Sequence, residues 1–167
     1  LQALTTEQAR ALSSSAISVL TTSQIKSLTT AQVLSLSTSQ IDKLSTSALN
    51  ALSFAQVSAL STDDLAQIGP TKIQALSSSS VGGLSSTQLR SLSTDILNAL
   101  SSSQVAALSS SQLQALTTEQ ARALSSSAVS ALSGAQISNL STTNLALLST
   151  SAISVLTTSQ IKSLTTW

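Results

Sequence analysis

The chain has 167 residues, of which 8% are charged, and its formal net charge is +1. This composition excludes the basic patches that bind nucleic acid. Cysteine and histidine are both absent, which excludes disulfides, thiolate metal sites and imidazole chemistry. No stretch approaches the roughly 18 apolar residues of a membrane span, because Ser/Thr pairs interrupt the chain throughout.

Leucine recurs every eight residues from Leu4 to Leu164, with Ile68 as the one exception, and a second apolar residue follows five residues after each leucine. A repeat this strict indicates a linear array in which every unit has much the same environment. An enzyme needs a few unique residues, and such a repeat supplies almost none. We therefore predict one octapeptide-repeat solenoid over residues 1–167, a fragment of a longer array, with no enzymatic activity.

Each octad carries the signals of one short helix, as in residues 20–27. The residue after each leucine is Ser or Thr, except at Gly69, and these residue types cap helix N-termini. Three residues later, glutamine completes the Ser/Thr-x-x-Gln capping box, in which hydroxyl and amide each bind a free backbone N–H. The leucine and the second apolar residue form the hydrophobic staple of the same motif. These glutamines are Gln8, Gln24, Gln32, Gln40, Gln56, Gln88, Gln104, Gln112, Gln120, Gln136 and Gln160.

Proline and the charged residues agree with this phase. Pro70 falls on the first helical residue, where its missing N–H costs nothing. Most acidic residues fall in the first turn and most basic residues near the helix end, as the helix dipole favours, and Asp42 is the acidic exception. The residues that follow the rule are Glu7, Asp63, Asp64, Asp95, Glu119, Arg10, Lys26, Arg90, Arg122 and Lys162.

Two other folds are alternatives to an array of short helices. One long helix is disfavoured because eight residues advance roughly 80° beyond two turns, so the apolar stripe would wander. A β-solenoid is the stronger alternative, since Ser, Thr, Ile and Val suit strands, but the apolar positions do not alternate cleanly. We predict an all-α solenoid or superhelix of very short capped helices, one per octapeptide, with about three octads per coil.

In this solenoid the leucine and Ile/Val residues point inward, and the sixth residue after each leucine points outward. At roughly 8–10 Å per coil, the rod would be on the order of 60–70 Å long. Residues 2–20 are nearly identical to residues 114–132, which indicates duplication in whole octads. The stretch 68–84, with Gly69, Gly82 and Gly83, is interpreted as drift in a tolerant array.

None of three short motifs in the sequence indicates a site, so no catalytic, cofactor or metal residue is predicted. Ser-x-x-Lys at residues 23–26 and 159–162 lacks the other elements of serine acyl-enzymes. Asp63 and Asp64 supply too few oxygens for calcium and suit a helix start. The glycosylation pattern at residues 139–141 is expected by chance in a serine-rich chain.

The runs at residues 20–28 and 100–108 resemble octapeptide arrays of very large proteobacterial secreted or surface proteins described as adhesin-like. The resemblance covers the whole chain. It implies an extracellular or cell-surface location and a spacer or stalk in a filamentous or biofilm-associated protein.

Three functions therefore follow as expectations. The first is an extendable rod that associates head to tail into filaments. Leu4 and Ala9 at one end and Ile161 and Leu164 at the other belong to ordinary octads and not to polar terminal repeats that would cover the apolar ends of the array. The alternative is a binding module in which a ladder of hydroxyls contacts polysaccharide, ice or a mineral surface. A β-type, amyloid-like matrix is a third expectation. Trp167 is a candidate for an addition made for absorbance measurement.

Overall fold

The structure, a computed structural model, describes residue 1 and residues 3–164, and Trp167 lies outside these residues. The described chain is entirely helical, without strands, so the all-α prediction is confirmed and the β-solenoid alternative is wrong. The helices are α1 (Thr6–Arg10), α2 (Ser14–Ser18), α3 (Thr22–Ser27), α4 (Thr30–Ser35), α5 (Thr38–Lys43), α6 (Thr46–Ala51), α7 (Phe54–Ser58), α8 (Thr62–Ile73), α9 (Ser78–Val81), α10 (Ser86–Ser91), α11 (Thr94–Ala99), α12 (Ser102–Ala106), α13 (Ser110–Gln114), α14 (Thr118–Ala123), α15 (Ser126–Ala131), α16 (Gly134–Ser138), α17 (Thr142–Ala146), α18 (Thr150–Ser154) and α19 (Thr158–Leu164).

The capping boxes form as the sequence predicts. Thr5 has extended backbone angles, φ −69° and ψ 164°, and its hydroxyl accepts the backbone N–H of Gln8 at 3.2 Å. The Gln8 Oε1 atom accepts the Thr5 N–H at 2.9 Å in return. The same reciprocal pair occurs at the other octads with glutamine, so each of these helices begins where the capping motif stands.

Helix α8 spans parts of two octads, each of which begins its own helix. Gly69 interrupts it with φ 72° and ψ 170°, a left-handed region that favours glycine, and Pro70 then starts the second helix. The prediction of one helix start per octad is thus confirmed here as well. In several other octads the helix ends at the next leucine, whose backbone is extended, as at Leu28 with φ −67° and ψ 137°.

Three octads make one coil of the solenoid. Helix α1 contacts α4, α2 contacts α5, α3 contacts α6, and the relation continues to α16 with α19. Because α8 contains two octads, α7 meets α9 by the same rule. A residue therefore lies above its equivalent 24 positions earlier, which confirms the predicted three octads per coil.

The core is a column of aliphatic side chains along the inside of the coils. Ile17, Ile25 and Ile41 are fully buried, and nearly all the repeated leucines of the interior coils are buried with them. Helices of five or six residues are far below the roughly 12–15 residues needed for marginal stability alone, so this packing holds them. Arg90 and Arg122, at the sixth position, are exposed as predicted.

The stretch around Gly83 contains a close contact between coils. A Cβ atom at Gly83 would lie 2.7 Å from the backbone oxygen of Phe54 and 3.0 Å from its ring. Phe54 lies one coil earlier and packs against this glycine. Ser80, in place of the usual glutamine, donates its hydroxyl to the Leu52 carbonyl of the same earlier coil. The backbone therefore approaches closely at this point, and glycine leaves the room.

Candidate functional site at the interface between coils

The repeated glutamine has a second role that sequence reasoning missed: it ties each coil to the coil before it. The Gln56 Oε1 atom accepts the Ser53 N–H at 2.8 Å, which is the capping bond. Its Nε2 group points the other way and donates to the carbonyls of Ile25 and Leu28, both at 2.8 Å. The amide of Gln56, which is 3% exposed, is thus bound on both sides.

The same bridge recurs along the array at a fixed spacing of 28 residues. Each Nε2 donates to the carbonyl of a repeated leucine, at 2.6–2.9 Å. A buried carbonyl without a hydrogen-bond partner is costly. The amide supplies that partner to the leucine carbonyl, which accepts no hydrogen bond within a helix. The bridging glutamines are Gln32, Gln40, Gln56, Gln88, Gln104, Gln112, Gln120, Gln136 and Gln160.

Lys72 and Asp42, two charged residues at unusual positions in their octads, form a contact between coils where other octads have a glutamine bridge. Lys72 occupies the position of a glutamine, and its ammonium donates to the backbone carbonyl of Asp42 and to the Asp42 carboxylate, the latter at 3.1 Å. Lys43 also contacts that carboxylate at 2.9 Å. Hydrogen bonds from Lys43 and then from Lys72 lower the pKa of Asp42 below its ordinary value of 3.8.

Other residues at this position bridge differently or not at all. Asn144 reproduces the bond, from its Nδ2 to the Leu116 carbonyl at 2.8 Å. The Asp64 carboxylate caps the Ser61 N–H at 3.0 Å, but a carboxylate has no proton to give to the preceding coil. Alanine or isoleucine, which cannot bridge, stands at Ala48, Ile96, Ala128 and Ala152.

The two faces of each coil are chemically different. The glutamine side faces the preceding coil: Gln8, in the first coil, is exposed, whereas Gln160, in the last, is 3% exposed. The Ile/Val side faces the following coil: Ile17 is fully buried, whereas Ile153 and Ile161 of the last coil are 42% and 50% exposed. A coil therefore offers amide donors on one face and apolar side chains with open carbonyls on the other.

The structure does not bring the short motifs of the sequence into one site. Asp63 is exposed and Asp64 is buried at the helix start, while Ser23 and Lys26 are exposed on one helix. The Asn139 amide donates to the Ala135 carbonyl of its own helix at 2.6 Å. No group of three or more metal-ligating side chains is present in the described part of the chain.

One groove between coils is lined by polar and charged side chains. It has a volume of about 390 Å³ and lies between α5 and the first half of α8, lined by Thr38, Ser39, Asp42, Lys43 and Gln67. Asp64, which forms no bridge, belongs to the same pair of helices. Within residues 1 and 3–164, no helix is long and apolar enough to cross a membrane.

Comparison with known proteins identifies the repeat. The sequence profile of the ALTTAQ repeat family matches residues 1–30, 57–94, 86–118 and 94–126, which together make up more than half of the chain. The signature is visible at residues 115–120, Ala-Leu-Thr-Thr-Glu-Gln, where the last residue of one octad runs into the next capping box. The chain belongs to the ALTTAQ repeat family. No curated protein matches it in sequence.

Proposed function

We propose that this array of the ALTTAQ repeat is a structural rod without enzymatic activity, a spacer or stalk that projects or connects other parts of a larger protein. One observation carries the proposal: among the described residues, each helix packs on the helix three octads before it, and glutamine bridges recur at this interface along the array. Adding octads at an end therefore lengthens the rod without changing the contacts already present, in the manner of solenoid proteins.

Duplication in whole octads supports this role. Residues 2–20 and 114–132 are nearly identical and lie 112 positions apart, a multiple of eight. A single added octad turns the rod by one third of a coil, yet each helix still meets the helix three steps before it. An insertion that is not a multiple of eight would instead misplace every following glutamine and leucine.

Insertion variants test the rod. We would duplicate residues 92–115, which are three complete octads, and measure the maximum dimension by small-angle X-ray scattering. The expected gain is about 8–10 Å, one helix-packing distance, with no loss of melting temperature. A four-residue insertion at the same point is the matched control and should lower the melting temperature. An unchanged maximum dimension after the 24-residue insertion would contradict the proposal.

We also propose that the rod belongs to a secreted or cell-surface protein of the adhesin-like kind and that it associates end to end into filaments. The location is supported by the resemblance of the repeat to arrays in such proteins. Antibodies against the chain should label intact cells of its source. Association is supported by the difference between the two faces of a coil, and concentration-dependent light scattering tests it.

Polysaccharide binding through hydroxyls is the second candidate, and one row of side chains favours it. Because equivalent positions repeat every 24 residues, threonine follows the cap residue at five of the six described positions along one side of the solenoid, and Pro70 is the sixth. Replacing Thr118 and Thr142 by alanine should weaken retention on an immobilised polysaccharide, whereas replacing Ser102 and Ser126 on another side should not. The row comprises Thr22, Thr46, Thr94, Thr118 and Thr142.

A further inference from the structure

We propose that the first and last coils form a directional joint in which Gln8 of one copy donates to the Leu148 carbonyl of a second copy. This inference rests on the end-to-end association proposed above and specifies its chemistry and register. The occupant of each end face is another copy of this chain, because the face that it would present already packs on its counterpart at every interior coil.

The first coil, α1 to α3, presents unused amide donors. The Oε1 atoms of Gln8 and Gln24 accept the N–H groups of Thr5 and Thr21, each at 2.9 Å. Within the described residues their Nε2 groups have no acceptor, and both side chains are exposed. One coil later, the Gln32 amide donates to the Leu4 carbonyl at 2.6 Å and is 2% exposed.

The last coil, α17 to α19, presents the complementary face. The carbonyls of Leu148 and Leu156 occupy the positions that accept glutamine elsewhere, and no donor reaches them from the described part of the chain. Beside them, Ile153 and Ile161 are 42% and 50% exposed, although Ile25 at the equivalent position of the first coil is fully buried. A partner coil would cover this apolar surface and could bring an amide donor to the Leu148 carbonyl.

The exposure of the apolar residues in the last coil determines which helices of the two copies meet at the joint. In the last coil Leu145 is only partly exposed, so α18 is the first helix whose apolar residue is open, followed by α19. Helix α1 of the second copy then lies on α18, which places Gln8 on the Leu148 carbonyl. Helix α2 then lies on α19, with Ala16 at the contact. In the interior, α6 packs on α3 in the same way, and its Ala48, at the same position of the octad, is buried.

The chemistry also sets the direction of association. Two first coils would bring amide donors against donors, and two last coils would bring carbonyls against carbonyls. Only unlike faces are complementary, so the contact is heterologous and does not close on itself. Assembly should therefore continue into filaments one molecule wide.

Disulfide trapping tests the register, because the chain has no cysteine. In the interior, a Cβ atom at Gly134 would lie 3.2 Å from the Ser163 Cβ, close to the roughly 3.5–4.5 Å of a disulfide. The corresponding pair across the joint is Ala11 with Thr150. The double variant Ala11→Cys/Thr150→Cys should give a ladder of linked oligomers under mild oxidation. The control Val19→Cys/Thr150→Cys, one octad out of register, should give no ladder.

Charge variants test the donors. Gln8→Glu/Gln24→Glu keeps an oxygen for each capping box but sets a carboxylate against the partner's carbonyls. Association measured by sedimentation should weaken at least about tenfold. The control Gln74→Glu/Gln114→Glu adds the same charge to the exposed sides of the rod and should associate like the unaltered chain.

The outcomes separate this joint from the broader proposal. If the unaltered chain stays monomeric at every concentration, both end-to-end association and the joint are wrong. If the unaltered chain associates but the Gln8/Gln24 variant associates equally well, or the in-register cysteine pair gives no ladder, the joint is wrong and association stands. A ladder together with weakened association of the Gln8/Gln24 variant supports the joint.

Discussion

At the scale of single residues, the glutamine of each octad performs two tasks with one amide group. Its oxygen completes the helix cap and its nitrogen binds the preceding coil, as Gln112 shows with bonds of 2.6 Å to Ser109 and 2.6 Å to Leu84. Both partners are backbone groups that would otherwise be left without a bond. Glutamine is long enough to reach both, which explains its frequency at this position of the repeat.

Replacing Gln112 by alanine should lower the free energy of unfolding by about 1–3 kcal/mol, because it leaves a capping N–H and the Leu84 carbonyl without their partner. Gln114 on the same helix is exposed and serves as the matched control, with an expected change within about 0.5 kcal/mol. Urea titration of both variants measures the difference. Equal effects would show that the bridge contributes nothing.

Asp42 should make stability depend on pH in the acid range. Lys43 and Lys72 lower its folded pKa, so its contribution is present above the ordinary pKa of 3.8 and is lost as pH falls through the lowered folded value. Thermal melts between about pH 5 and 2 should show this loss in the unaltered chain. In Asp42→Asn the loss should be smaller, and Asp63→Asn provides the exposed control. Identical pH profiles for the unaltered chain and Asp42→Asn would contradict the expectation.

At the scale of one helix, the cap residues decide where each element begins. The hydroxyls of Ser101, Ser109 and Thr117 accept the N–H of Gln104, Gln112 and Gln120 at 3.1–3.3 Å. Alanine at each cap should cost about 0.5–2 kcal/mol, and the triple variant should approach the sum. Circular dichroism during urea unfolding provides the measurement. Threonine in place of Ser101 and Ser109 is the control and should leave stability almost unchanged.

Gly83 should not tolerate a side chain. An alanine Cβ at this position would meet the backbone oxygen of Phe54 at 2.7 Å, and a backbone atom cannot rotate away as a side-chain end can. The coils must then move apart locally, which we expect to cost about 1–3 kcal/mol. Phe54→Ala combined with Gly83→Ala should recover little, since the closest atom belongs to the backbone. Full recovery in the double variant would identify the ring as the cause.

The sequence predicted the elements well because each helix start is a local signal. The cap at Thr5, the box with Gln8 and the proline after Gly69 depend only on residues a few positions apart. The bridge from Gln56 to Leu28 depends on two residues 28 positions apart, and nothing local distinguishes a capping glutamine that also bridges. With three octads per coil, residues 24 to 31 positions apart lie in neighbouring coils. Opposite charges at this separation are a signal that could have paired Lys72 with Asp42.

At the scale of the whole molecule, stability is a sum of coils and of interfaces between neighbours. Most interfaces have a bridge at two or three of their three positions. One interface has a single bridge: where α6, α7 and the first half of α8 meet the preceding coil, Gln56 bridges but Ala48 and Asp64 do not. The polar groove between α5 and α8 lies at this same interface.

The array should therefore separate first at that interface and should not unfold in one step. In mild urea, hydrogen exchange should show loss of protection in α1 to α5 before α12 to α15, because terminal coils joined through a weak interface can detach while the interior persists. Ala48→Gln/Asp64→Gln restores both bridges and should merge the two phases. Ala128→Gln, which adds one bridge at an interface that already has two, should leave them separate. If α1 to α5 and α12 to α15 instead lose protection together in the unaltered chain, the number of bridges does not determine which interface is weakest.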